Sequence, residues 1–316
     1  MSKNKIALIG GGNIGGILAV LSAQREFGDI AIVDIFDGVA AGKALDIMHA
    51  NAADGLNTNL SGTTDYSNIK DADVVIVTAG FPRKEGMSRD DLLQKNAEVI
   101  RIVGKNIKEM APNSFVIVIT NPLDIMVGIM QDATGFAHNK VVGMAGILDA
   151  SRFKTFLAEK LNVAVSDIQS FVLGGHGDSM VPLPRYTTIG GIPLQHFVDK
   201  GKLSQEELNA IIDRTRKGGG EIISLMKASA YFAPAASALK MAKAYLHNER
   251  SILPCAAYLN GEYGVKGLYV GVPAMIGKNG VEEVIELDLN ASEQSEFESS
   301  INSVKGLMET VQKLNL

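Results

Sequence analysis

The 316-residue sequence has one cysteine, no tryptophan and no long apolar run. A lone cysteine cannot form an internal disulfide, and the apolar neighbours of Cys255 predict a buried side chain rather than a nucleophile. The longest runs rich in Val and Ile, such as Val74–Val77, are too short to cross a bilayer. The first residues lead straight into such a run, without the pattern of a secretory signal, so we expect a cytoplasmic protein without a membrane segment.

The sequence also lacks a large excess of positive or negative charge, because 35 acidic residues and 30 Lys and Arg leave a formal net charge of -5. A nucleic-acid surface needs clustered Lys and Arg, so no nucleic-acid partner is expected. Only five histidines occur, and none forms a His-x-x-x-His pair, so no metal site is expected either. What the sequence does have is 46% apolar residues, enough to fill the core of one large domain or two ordinary ones.

The first half of the chain alternates short apolar runs with longer amphipathic stretches. Runs rich in Val and Ile that barely alternate in polarity are typical of strands buried on both faces. Strands that alternate with helices predict βαβ units, and hence an α/β fold with a doubly wound parallel sheet. The predicted strands are Lys5–Gly10, Ile30–Ile35, Val74–Gly80, Phe115–Thr120 and Val141–Gly146, and the predicted helices are Ile14–Phe27, Ala40–Ala53 and Asp90–Met110.

The rhythm changes after about residue 146, where an α+β pattern begins. Three consecutive glycines, Gly218–Gly220, are predicted to break or bend the longest helix of this half. The predicted helices here are Asp149–Leu161, Ser204–Lys227 and Ser292–Leu314, and the predicted paired strands are Ser251–Leu259 and Gly267–Ile276.

A G-x-G-x-x-G motif at residues 10–15 follows the first predicted strand and opens a helix. Glycines there let the backbone approach a pyrophosphate, and the helix N-terminus offers it free N–H groups. Asp34 ends the next strand, where a carboxylate accepts hydrogen bonds from ribose hydroxyls and repels a 2′-phosphate. A glycine-rich turn with a surface Asp is the alternative, but the whole unit favours a Rossmann domain over residues 1–146 that binds NAD. The predicted cofactor-binding residues are Gly10, Gly11, Gly12, Asn13, Ile14, Gly15 and Asp34.

Three further segments hold polar residues that suit chemistry on an acid substrate. Arg83 and Arg89 follow a strand end in a Gly- and Pro-marked segment, where they would clamp an anion or simply form a solvated loop. Asp149 would cap a helix whose next turn carries Arg152, a residue suited to bidentate carboxylate recognition. His176 lies among three glycines, which cannot bury it, so it presents its ring either to a ligand or to solvent.

A 2-hydroxy-acid dehydrogenase needs these residue types. A cation must hold the substrate carboxylate, one group must exchange the hydroxyl proton, and a donor must polarise the carbonyl. At these residues the sequence resembles the lactate/malate dehydrogenase family over nearly the whole chain, which implies a substrate-binding catalytic domain over residues 147–316. The resemblance is carried, in order, by residues 9–15, 80–90, 120–124, 148–153 and 175–178.

The resemblance implies a role for each candidate residue. His176 is the proton donor and acceptor, Asp149 holds its ring, and Arg152 binds the carboxylate beside the reacting carbon. Arg89 polarises the carbonyl oxygen, and Asn121 contacts both substrate and cofactor. The remaining cofactor neighbours that the resemblance implies are Asn96, Ile119 and Thr120.

Arg83 bears on the choice of substrate. Lactate enzymes of the family typically carry Gln at the matching position, whereas a cation there pairs with the second carboxylate of oxaloacetate. The resemblance therefore implies reversible oxidation of (S)-malate to oxaloacetate with NAD, a reaction of the citric acid cycle. The alternatives are a lactate dehydrogenase, which Arg83 disfavours, and a non-catalytic NAD-binding module that has kept the fold.

The expected partner is accordingly a small molecule, malate or oxaloacetate. The resemblance also implies a homo-oligomer, either a dimer or a tetramer. Its subunit contacts are expected at two apolar stretches, Ala41–Ala53 and Tyr231–Ala238.

Overall fold

The computed structural model describes residues 4–82 and 89–313, which form an α/β structure around one large sheet. The strands are β1 (Lys5–Ile9), β2 (Asp29–Val33), β3 (Leu60–Thr63), β4 (Val74–Val77), β5 (Phe115–Val118), β6 (Val141–Gly143), β7 (Ile168–Gln169), β8 (Val172–Leu173), β9 (Val181–Pro182), β10 (Thr188–Ile189), β11 (Ile192–Pro193), β12 (Ser251–Asn260), β13 (Lys266–Gly277) and β14 (Gly280–Val284). The helices are α1 (Asn13–Gln24), α2 (Val39–Asp54), α3 (Arg89–Met110), α4 (Leu123–Thr134), α5 (Gly146–Leu161), α6 (Leu194–Asp199), α7 (Gln205–Met226), α8 (Phe232–Leu246) and α9 (Ala291–Lys313).

The six strands of the first half pair in parallel in the order β3-β2-β1-β4-β5-β6. This is the doubly wound order, in which the chain reverses direction across the sheet between β1 and β4 and leaves a crevice at the carboxyl ends of the strands. The predicted fold class is confirmed. The predicted strands β4 to β6 are shorter than expected, because the chain turns into loops at their carboxyl ends.

The second half contributes to the same sheet. The long hairpin of β12 and β13 was predicted as paired strands, and β12 also pairs antiparallel with β6 through Ala256 and Gly143. The sheet therefore continues as β6-β12-β13-β14 and has nine strands in all. Two small sheets, β11-β10-β7 and β8-β9, complete the second half.

Alternate residues of the parallel strands divide between two cores, one on each face of the sheet. In β1, Ile6 and Leu8 belong to one core, whereas Ala7 and Ile9 belong to the other. Every one of these side chains is almost completely buried. Burial on both faces explains why these strands read as unbroken apolar runs.

Helix α7 begins with a capping box, since the Ser204 hydroxyl accepts the Glu207 N–H at 3.1 Å and the Glu207 carboxylate accepts the Ser204 N–H at 2.9 Å. The helix then continues through Gly218–Gly220 without interruption. The predicted break there is wrong. Helix α7 packs against α5, with Gly218 beside the side chain of Arg152.

Several apolar side chains are exposed on the surface. Leu45 on α2 is 51% exposed, and Leu225 and Phe232 near the junction of α7 and α8 are 76% and 59% exposed. Single exposed apolar side chains are normal on a protein surface, so these three do not by themselves mark a subunit interface. The homo-oligomer stays a prediction. Within the two described ranges, no helix has both the length and the apolar character that a membrane crossing requires.

Candidate active site

The glycine motif forms a tight turn between β1 and α1. Gly10 adopts a φ of +109°, where a side chain would also collide with the Thr78 hydroxyl, and a side chain at Gly15 would collide with the Gly10 carbonyl. Gly12 occupies the N-cap of α1, and in the described part of the chain no side chain caps this helix. Asn13 and Ile14 form its first turn. The uncapped N–H groups and the open space at Gly12 fit a pyrophosphate group.

Asp34 lies directly beside this turn, at the carboxyl end of β2. Its carboxylate accepts the Gly11 N–H at 2.5 Å and the Phe36 N–H at 2.9 Å. A carboxylate can accept further hydrogen bonds, so Asp34 fits a ribose with free hydroxyls. The tertiary structure also brings in Lys43 of α2, whose ammonium donates to the Gly12 carbonyl at 2.8 Å. The sequence contained no signal for Lys43, because only the packing of α2 beside the turn places it there.

The remaining predicted cofactor neighbours lie at the carboxyl ends of β4 and β5. Thr120 and Ile119 are buried, and the Thr120 hydroxyl donates to the Ala79 carbonyl at 2.7 Å. Asn96 is buried too. Its side-chain oxygen accepts the Phe81 N–H, and its side-chain NH2 group donates to the carbonyls of Phe81 and Asn121. These hydrogen bonds connect the two strand ends. Asn121 itself is exposed at this edge. The structure thus gathers these residues near the turn, with the amide of Asn96 already bonded to the backbone.

His176 and Asp149 form a hydrogen-bonded pair in the second half of the chain. The Nδ1 atom of His176 lies 2.9 Å from a carboxylate oxygen of Asp149, in the first turn of α5. Asp149 is buried, and the side chain of His176 is 15% exposed. Because an ionised carboxylate only accepts hydrogen bonds, Nδ1 carries the proton and Nε2 is left for a ligand.

Burial lowers the pKa of His176, but this effect is outweighed by the charges around the ring. The charge and hydrogen bond of Asp149 raise the pKa, the charge of Asp124 raises it further, and Arg152 opposes both. The net result is a pKa above the ordinary histidine value. The ring therefore holds its proton more strongly than a free histidine does.

Arg152 lies one turn after Asp149 and donates to its other carboxylate oxygen at 3.1 Å. Its side chain is 13% exposed, and its buried Nε has no hydrogen-bond partner in the described part of the chain. The stem of Arg152 packs against α7 at Gly218, where an added Cβ would lie 3.0 Å from Cδ of Arg152. This close approach is a physical reason for one of the three helix glycines.

Asp124 is a site residue to which the sequence analysis assigned no role. It lies in the first turn of α4 and is 7% exposed, and its carboxylate accepts the His176 N–H at 3.0 Å. The only signal for it was its place at the end of the motif 120–124.

The two loop arginines complete the set of candidate residues. Arg83 lies outside the described residues, and Arg89 is described only as the first residue of α3, without its side chain. Within residues 4–82 and 89–313, no group of three or more His, Cys, Asp or Glu side chains is placed to hold a metal ion.

Comparison with known proteins identifies the family. Residues 4–143 match the NAD binding domain of lactate/malate dehydrogenases, and residues 147–315 match their alpha/beta C-terminal domain. The chain belongs to the lactate/malate dehydrogenase family. It is 56% identical over 310 residues to a malate dehydrogenase of Methylobacterium radiotolerans. These aligned residues make up 98% of this chain and 97% of the relative.

Solved structures of the lactate/malate dehydrogenase family superpose on almost the whole chain. Malate dehydrogenase of Cryptosporidium parvum is 46% identical, with a TM-score of 0.96 over 99% of this chain and 100% of that one. Lactate dehydrogenase of the same organism, solved with lactic acid and NAD, is 45% identical, with a TM-score of 0.96 over 99% of both chains. Overall likeness therefore does not separate the two substrates.

These matches bear out three predictions made from the sequence. The family is confirmed, NAD is confirmed as the cofactor, and the protein is an NAD-dependent dehydrogenase with a small-molecule substrate. The roles of the individual site residues stay predictions.

Proposed function

We propose that this dehydrogenase interconverts (S)-malate and oxaloacetate. The observation that carries the proposal is the shared carboxylate of Asp149, which bonds His176 at 2.9 Å and Arg152 at 3.1 Å. One carboxylate thereby orients a proton carrier and a carboxylate-binding cation side by side, as chemistry on a 2-hydroxy acid requires. Arg83 and the malate dehydrogenase that is 56% identical favour the four-carbon diacid.

His176 exchanges the proton at the substrate oxygen. When bound, NADH supplies the hydride for reduction and NAD accepts it in the oxidation of malate. In reduction, Nε2–H of the protonated ring donates its proton to the oxygen of the carbonyl that becomes the hydroxyl. In oxidation, the neutral Nε2 takes that proton back, while Asp149 holds Nδ1–H and stabilises the imidazolium.

The arginines bind and polarise the substrate. Arg152 holds the carboxylate next to the reacting carbon, and Arg89 stabilises the charge that develops on the carbonyl oxygen. Arg83 pairs with the second carboxylate of oxaloacetate. In this arrangement residues 1–146 hold NAD and residues 147–316 supply the acid–base chemistry.

The test is direct. The purified protein is mixed with NADH and either oxaloacetate or pyruvate, and the loss of NADH absorbance is followed. Efficient turnover of oxaloacetate over pyruvate is the expected result. A preference for pyruvate would identify a lactate dehydrogenase, and bound NADH without turnover of either acid would indicate a non-catalytic module.

The preference for NAD is expected to depend on Asp34. Replacement of Asp34 by Ser removes the carboxylate that accepts from the ribose hydroxyls, and hydrogen bonds to charged groups contribute about 1.5–3 kcal/mol. The Kd for NADH should therefore rise by about tenfold to a hundredfold, and the gap to NADPH should narrow. Fluorescence titration with both cofactors measures this. Asp37→Ser, a nearby exposed charge, is the control, and an unchanged preference in Asp34→Ser would remove Asp34 from this role.

Substitution of a glycine in α7 tests whether the position of Arg152 matters for substrate binding. Ala at position 218 would place its Cβ 3.0 Å from Cδ of Arg152, so the arginine must shift. A displacement of about 1 Å can cost about a hundredfold in rate, and we expect a loss of about tenfold in kcat/KM for oxaloacetate from this smaller shift. The loss should appear mainly as a higher KM.

Gly220→Ala is the matched control, because a Cβ there meets nothing within 4 Å. Both substitutions replace a helix glycine by alanine, which favours the helix by about 1 kcal/mol. Gly220→Ala should raise the melting temperature and leave kcat/KM unchanged. Equal kcat/KM values for the two variants would show that Gly218 does not position Arg152.

A further inference from the structure

Asp124 places a second carboxylate against His176. Asp149 approaches the ring at Nδ1, whereas Asp124 accepts the main-chain N–H of the same residue at 3.0 Å from the first turn of α4. Its other oxygen, Oδ1, is buried and bonds no other residue within the described part of the chain. A buried carboxylate with a single partner from another residue is costly, so stability alone is a poor reason for an acid at this position.

A helix-capping role explains little of this arrangement. An acidic residue in the first turn of a helix is typically worth 0.3–1 kcal/mol at an exposed site, through the helix dipole. Such a residue has no need to be buried, yet Asp124 is 7% exposed. Burial raises the pKa of Asp124 to about 6, and the N–H and charge of His176 oppose this rise. The N–H and charge of His176 thus favour the ionised form of this carboxylate, which contacts the main chain of the histidine.

The charged groups that face His176 come from two helices in the described part of the chain. Helix α5 supplies Asp149 and Arg152, and α4 supplies Asp124. Helix α9 contributes the neutral Ser300, whose hydroxyl accepts the Gly175 N–H at 2.8 Å. The adjacent N–H groups of Gly175 and His176 therefore have different acceptors, the uncharged hydroxyl of Ser300 and the carboxylate of Asp124.

We propose that Asp124 is a positioning residue for His176, which fixes the main chain of the histidine and adds a second negative charge that favours the protonated ring. The inference rests on the proposed function, in which His176 exchanges the substrate proton. The negative charges of Asp149 and Asp124 favour the protonated ring, and the positive charge of Arg152 opposes them. The ring therefore keeps the proton that oxaloacetate reduction needs.

Substitutions at the two acceptors separate charge from loop geometry. Asp124→Asn keeps an oxygen that can accept the His176 N–H but removes the charge. Ser300→Ala removes the neighbouring hydrogen bond without any change of charge. Asp124→Ser is a second neutral variant, which serves the same comparison if Asp124→Asn does not fold.

The measurement is an NMR titration of the histidine ring protons in the full-length protein. The signal of His176 is assigned by its loss in His176→Asn. Loss of one nearby opposite charge should lower the pKa of His176 by about 1 unit in Asp124→Asn, while Ser300→Ala should leave it at the wild-type value. The pH profile of kcat/KM for oxaloacetate should shift toward acid by the same amount in Asp124→Asn.

Two results would overturn the inference. The first is the same His176 pKa in wild type and in the neutral Asp124 variants. The second is an equal shift in Ser300→Ala, which would assign the effect to loop geometry. The titration requires no turnover, so a wild-type protein inactive on both oxaloacetate and pyruvate would defeat the proposed function while the comparison of pKa values still decides the role of Asp124.

Discussion

Asn in place of His176 is expected to lower the kcat of oxaloacetate reduction by about 10²–10⁴-fold, the range typical of a lost general acid or base. The amide of Asn cannot deliver a proton at neutral pH, whereas the imidazolium held by Asp149 can. NADH binding should persist, because the glycine turn and Asp34 lie in the other half of the chain. Stopped-flow absorbance gives kcat, and NADH fluorescence gives the Kd.

His196→Asn is the control for this substitution, since His196 is exposed on the short helix α6. Turnover in His176→Asn within about tenfold of wild type would show that another group carries the proton. A parallel loss in His196→Asn would point to general damage rather than to catalysis.

His176 also determines whether the rate of each reaction rises or falls with pH. Reduction requires the protonated ring, so its rate should fall as pH rises through the pKa of His176. Oxidation of malate requires the neutral ring, so its rate should rise over the same interval. Because Asp149 and Asp124 raise this pKa, the interval should lie above the ordinary histidine value of about 6.5. Rates that change in the same direction for both reactions would contradict the role of His176.

Gln in place of Arg83 is expected to lower kcat/KM for oxaloacetate by about 10¹–10⁴-fold. Arg152 can hold only the carboxylate beside the reacting carbon, and the second carboxylate is costly to leave unpaired in a closed site. Truncation of one partner of a buried charge pair costs about 2–5 kcal/mol, at about 1.4 kcal/mol for each tenfold change. Pyruvate has no second carboxylate, so its kcat/KM should hold or rise.

The deciding quantity is the ratio of kcat/KM for oxaloacetate to that for pyruvate, in wild type and variant. Lys84→Gln, the next residue along, removes the same charge from the same segment and should leave the ratio unchanged. A ratio that moves less than about threefold in Arg83→Gln, under 1 kcal/mol, would mean that Arg83 does not select the substrate. The proposal of malate as substrate would then lose its main support.

Some elements carried too weak a signal to be predicted from the sequence. Helix α4 was missed because most of its sides are buried, which removes the polar stripe that marks an amphipathic helix. Strand β3 was missed because Leu60 is its only fully buried residue, and an edge strand of this kind reads as a loop. The helix is uninterrupted at Gly218–Gly220, where Gly218 packs beside Arg152 of α5, and helix propensity does not include such contacts.

The features that follow from the sequence alone are local ones. The parallel strands, the turn at residues 10–15 and the acid at Asp34 follow from short-range rules, because glycine conformation and the periodicity of buried strands act within a few residues. The family motifs likewise mark His176, Asp149 and Arg152 as candidate site residues without reference to the fold.

Which of these groups contact each other depends on the packing of the whole chain. Asp149 lies 27 residues before His176 and Asp124 lies 52 residues before it, yet both contact the same histidine. Their meeting depends on β5 and β6 being neighbours in the sheet, since α4 and α5 start from the carboxyl ends of these two strands. The pKa of His176 follows from that meeting, because burial and the distances between charges are properties of the packed chain and not of any segment of it.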